Sequence, residues 1–62
     1  MRFYILVQNS VGDLSVHVEV DSMDLAEVIA EALSLRYHRE TWLIVTGTGE
    51  ICKKYSCGEV RQ

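Results

Sequence analysis

A chain of 62 residues with 48% hydrophobic side chains, no proline and a net charge of -3 has room for one small domain and is too apolar to stay disordered. Its acidic balance disfavours direct nucleic-acid binding, which needs a basic field to gather phosphates. The longest apolar run is far too short to span a bilayer, and no signal-peptide cleavage pattern follows it, so a cytoplasmic protein with no membrane partner is expected.

The first element is Phe3-Tyr4-Ile5-Leu6-Val7, continuously apolar and rich in aromatic and β-branched residues, as a central strand covered on both faces would be. Asn9 to Asp13 supplies turn chemistry. Leu14, Val16, Val18 and Val20 then alternate with Ser15, His17 and Glu19, the period-2 signature of a half-buried strand. Pairing Val7 with Val16, Ile5 with Val18 and Phe3 with Val20 collects the β-branched residues on one face. Tyr4, Leu6 and His17 are then expected on the other.

A helix is predicted from about Met23 to about Tyr37, with Asp21 or Ser22 as N-cap and Asp24 in the first turn. At 100° per residue, Asp24, Glu27, Glu31, Ser34 and His38 share one side, and Leu25, Ile29, Ala32 and Leu33 centre the other. The apolar arc is wider than one sheet requires, with Met23, Ala26, Ala30 and Tyr37 on one flank and Val28 and Leu35 on the other. Arg36 would point at the core, so the helix is expected to loosen just before it.

Trp42-Leu43-Ile44-Val45 reads as a second strand apolar on both faces. Gly47-Thr48-Gly49 turns it into Glu50 to Tyr55, whose paired lysines suit an edge. Residues from about 56 are expected to form a short mobile tail. The resulting fold is a single α+β domain over residues 1–62, a two-layer ββαββ sandwich. Its four-stranded antiparallel sheet has order 2-1-3-4, with one helix on one face.

Chemical motifs are sparse. Cys52, Cys57, His17 and His38 offer a zinc-like donor set, but a C-x4-C spacing with no paired histidines does not fit a structural site. Free thiols and no metal or cofactor are expected. No spacing holds a base against a nucleophile, so no enzyme is expected. Charge, by contrast, is one-sided. Asp13, Glu19, Asp21, Asp24, Glu27 and Glu31 occur with no Lys or Arg among them, and Arg36, Arg39, Lys53, Lys54 and Arg61 come later. Such a field steers a basic partner.

The order of Phe3-Tyr4-Ile5-Leu6-Val7-Gln8-Asn9, an acidic helix cap, Ala26-Glu27-Val28-Ile29-Ala30 and a glycine-containing last hairpin resembles the small ββαββ accessory proteins of phages and mobile elements. Anti-CRISPR inhibitors are among them. The resemblance covers nearly the whole chain as a pattern and carries over no functional residue. It implies a non-enzymatic inhibitor acting in the host cytoplasm on a host protein or nucleoprotein complex. The acidic edge of Glu19, Asp21, Asp24, Glu27 and Glu31 is the candidate partner surface. Tyr4, Leu6 and His17 on the open sheet face are the candidate self-association surface, the alternative role being a homodimeric regulatory or structural module.

Overall fold

The computed structural model describes residues 2–61. Its elements are β1 (Phe3–Gln8), β2 (Leu14–Val20), α1 (Met23–Arg36), β3 (Thr41–Thr46), β4 (Ile51–Ser56) and β5 (Glu59–Arg61). The strands form one antiparallel sheet in the order β2-β1-β3-β4-β5, with α1 packed on one face. The expected order is present, extended by a fifth strand where a mobile tail was expected.

Local chemistry makes the turns. Asn9 bends the first hairpin by accepting the backbone N–H groups of Val11 and Asp13 on its side-chain oxygen, which is Asx-turn behaviour. The β4–β5 connection is two residues long, and both have positive φ, Cys57 at 54° and Gly58 at 79°. Positive φ at both positions is the hairpin turn whose twist matches that of the flanking strands. Residues 59–61 therefore fold back along β4, with Val60 opposite Tyr55, and leave the open face of the sheet uncovered.

The core lies between α1 and the inner sheet face. Ile5, Trp42, Ile44 and Tyr55 on the sheet meet Ala26 and Ala30 on the helix, with Phe3, Val7, Val18, Val20, Met23, Ile29 and Leu33 around them. Large side chains on the sheet demand small ones opposite. The row Ala26, Ala30 and Ser34, each fully buried, lets the helix backbone approach closely, and interior packing tolerates neither gaps nor overlap. The helix is consequently rotated from the expected orientation. Ser34, expected in solvent, is buried. Leu25, expected at the centre of the core, is 47% exposed. The same rotation carries Arg36 to the surface, so the helix runs through it and ends at Tyr37, whose N–H bonds to the Leu33 carbonyl. Ser22 is the N-cap, accepting from the Leu25 N–H.

Both strands that flank the central pair contain a bulge. Ile5 faces Val18 but Leu6 faces Val16, leaving His17 as the extra residue. Ile44 faces Lys53 but Val45 faces Ile51, leaving Cys52 as the extra residue. Val7 therefore pairs with Ser15 rather than Val16. Beyond each bulge the side chains exchange faces, as a one-residue slip requires.

Candidate functional site

The five acids expected on one edge fall into two groups. Glu19 and Asp21 line a small cleft with Arg2 and Leu25 beside β2. There Glu19 accepts a hydrogen bond from the Arg2 guanidinium, which holds Arg2 above its ordinary pKa. Asp24, Glu27 and Glu31 lie on the opposite flank of α1, toward β4 and β5. The helix separates the two groups, so Glu19 and Asp21 do not extend the surface made by the other three.

The second group borders the larger concavity. An open groove of about 670 Å³ runs between α1 and the β4–β5 hairpin, with Val28, Ala32, Leu35, Tyr55 and Val60 supplying apolar walls. Gly58 sits against Leu35 at its lower end, where an added Cβ would meet the Leu35 Cδ2 at 2.5 Å. Ser34 fixes this geometry from inside. Its hydroxyl donates to the Glu31 carbonyl and accepts the Gly58 N–H, each at 2.8 Å, so the hairpin turn is tied to the last turns of the helix.

Charge in the groove is uneven. Glu27, expected to be fully in solvent, is half-buried and accepts a hydrogen bond from Lys53 Nζ at 2.5 Å. That bond is the main reason the Lys53 ammonium lies above its ordinary pKa. Burial is the main cause that raises the Tyr55 phenol. Asp24 and Glu31, by contrast, are exposed and form no ion pair among the described residues. The groove thus offers an apolar wall with two uncompensated carboxylates on its rim.

The self-association residues divide as well. Tyr4 and Leu6 do lie on the open sheet face, paired with Val45 and Leu43 of β3. His17 does not. The β2 bulge turns it to the helix side, where its ring meets the Trp42 ring edge-on with centroids 5.1 Å apart. Tyr37 approaches Trp42 from the end of the helix at 6.1 Å, and Arg36 lies over Tyr37. The Trp42 indole N–H is buried without a hydrogen-bond partner among the described residues.

The remaining reactive side chains address the backbone. The Cys57 thiol points at the His38 carbonyl, and the His38 ring at the Leu35 carbonyl. Cys52, the β4 bulge residue, packs against the inner core. Among the described residues, no three His, Cys, Asp or Glu side chains gather as a metal centre would need. No helix of the described chain is long and apolar enough to cross a membrane.

Val28, Leu35 and Val60 are the groove residues missing from the expected acidic surface. A partial signal for two of them is present in the sequence, because Val28 and Leu35 form one of the two flanks by which the helical apolar arc exceeds what one sheet can cover, the other being Met23, Ala26, Ala30 and Tyr37. Val60 is invisible without the β5 turn. No protein-family model matches the chain, and comparison with characterised proteins and with solved structures finds no match to either.

Proposed function

We propose that this chain is a small non-enzymatic protein-binding inhibitor that docks through the groove between α1 and the β4–β5 hairpin. Its partner is a host protein or nucleoprotein complex presenting a basic, apolar-centred surface. One observation carries the reading. Val28 and Leu35, 66% and 59% exposed, stand on the same outward helix flank as the unpaired carboxylates of Asp24 and Glu31. A purely solvated helix face gains nothing from large apolar residues there, whereas an interface uses an apolar centre with a polar rim. The rim charges supply orientation and association rate. An anti-defence role of the anti-CRISPR kind is what the sequence resemblance adds, and the free thiols of Cys52 and Cys57 suit action in a reducing cytoplasm.

The test is paired capture from a bacterial lysate with the wild-type protein and with Val28→Lys combined with Glu31→Lys, at low and at high salt. Both positions are exposed, so the fold should survive. The expected result is a basic protein or complex retained by the wild type, lost from the double variant and released by salt. Identical retention by both baits would reject the groove as the docking surface.

A further inference from the structure

The inner face of the sheet is only partly roofed. α1 lies over β1, β3 and β4, where Ala26 and Ala30 meet Ile5, Trp42, Ile44 and Tyr55. β5 lies beyond them at the sheet edge, two strand spacings or about 10 Å from β3. Packed helices lie about 8–10 Å apart, so a helix laid against the hairpin-side flank of α1 sits over β5. The surfaces it would meet are apolar and open. Val28 and Leu35 on α1 are well exposed, and so is Val60 on β5, which lies opposite the core residue Tyr55 and therefore shares its face of the sheet.

The charge around this vacancy is one-sided. Three carboxylates and one ammonium line it, and the ammonium, that of Lys53, is held by Glu27. Asp24 and Glu31 are left over. They alternate with the apolar residues along the helix, since Asp24, Val28, Glu31 and Leu35 follow one another in steps of four, three and four. That is the spacing by which the seam of one helix meets another.

We infer that the groove receives an amphipathic α-helix of the partner, with Lys or Arg at a seven-residue interval and large apolar residues between them. The inference rests on the groove being the docking surface and adds the form of its occupant. Spacing decides between a helix and an extended segment. Asp24 and Glu31 stand seven residues apart, about 10.5 Å along a helix. A strand rises about 3.3 Å per residue, so it covers that length in three residues, and side chains three apart leave opposite faces. A second helix covers it in two turns, and its side chains seven apart leave nearly the same face. Two bases on such a helix reach both acids at once, while the apolar residues between them rest on Val28, Leu35 and Val60, as helices do when they dock in grooves. A second copy of this chain is not the occupant. α1, the one helix among the described residues, carries acids rather than bases on this flank, and like charges brought together oppose pairing.

A defined peptide tests the inference. The probe is an alanine- and glutamine-rich peptide of about 18 residues, long enough to form a helix in water. It carries lysine at its third and tenth positions and leucine at its seventh and fourteenth. A control with two central alanines changed to proline keeps every charge and leucine but cannot form the helix. Each is titrated at low salt into isotope-labelled protein and followed by amide chemical shifts. The expected result is that the helical peptide shifts the amides of Val28, Glu31, Leu35 and Val60, and that the proline control binds at least tenfold more weakly. Asp24→Asn combined with Glu31→Gln, both at exposed positions, should weaken the helical peptide at least tenfold. Should loss of Asp24 from the first turn unfold α1, Glu31→Gln alone carries that arm. A helical peptide that shifts no groove amide at millimolar concentration, or a proline control that binds as well as the helix, overturns the inference. Lysate capture with Val28→Lys combined with Glu31→Lys keeps the two levels apart. A partner lost from that variant while the helical peptide fails means that the groove docks something other than a helix, whereas equal capture by both baits rejects the groove itself.

Discussion

Ser34 shows how one buried hydroxyl controls the shape of the groove. Its oxygen accepts from the Gly58 N–H and donates to the Glu31 carbonyl, so it satisfies a partly buried backbone donor at the turn that launches β5. Ser34→Ala removes that acceptor. Leaving a buried donor unpaired costs about 1–3 kcal/mol, and the loss should fall on the hairpin rather than on the whole sheet. Hydrogen exchange is the measurement. The β5 amides should exchange faster in the variant while those of β1 and β3 keep their protection, and an unchanged pattern would remove Ser34 from its anchoring role. None of this was legible in the sequence. A serine among glutamates reads as a solvent residue, and its burial depends on Gly58, distant in sequence, reaching across to it with a positive φ.

At the scale of elements, strand identity was easy to read because alternation and β-branched content are local properties. Register was not. Val16 and Val18 are equally apolar, so the sequence of β2 fits an unbroken strand and a bulged one equally well. The choice is made by the neighbouring strand, whose outer residues Tyr4 and Leu6 need apolar company. Helix orientation failed for a related reason. Ranking residues by hydrophobicity centres the core on Leu25, Ile29 and Leu33, whereas the closest contact with a sheet bearing Trp42, Tyr55 and Ile44 requires the small row Ala26, Ala30 and Ser34. These alternatives predict opposite mutational effects. Ala30→Leu forces a larger side chain into a filled contact and should cost about 1–3 kcal/mol or more. Leu25→Ala removes a half-exposed side chain and improves helix propensity, so it should change stability by less than about 1 kcal/mol. Urea denaturation at a fixed protein concentration compares them, and a larger loss from Leu25→Ala would contradict the observed helix rotation.

Across the whole molecule, the one-sided charge in the sequence becomes two separate acidic margins. Pairing quiets part of each, through Arg2 with Glu19 and Lys53 with Glu27. What remains for a partner is narrower than the sequence suggested. Asp24 and Glu31 overlook an apolar groove on the helix side, and a broad apolar face lies on the other side of the sheet. The two surfaces differ in physical character and so respond differently to salt. Exposed carboxylates are screened over about 8 Å at physiological ionic strength, whereas contact with the exposed Leu14, Val16 and Ile51 of the outer sheet face does not depend on charge. The central claim is that partner binding runs through the groove. Its most direct measurement is the affinity of the captured partner for the wild type and for Val28→Lys combined with Glu31→Lys, each across a salt series. Wild-type affinity should fall steeply with salt, and the variant should bind at least tenfold more weakly at low salt with a shallower dependence. Equal affinities with no salt dependence would contradict it and place the partner elsewhere on the molecule.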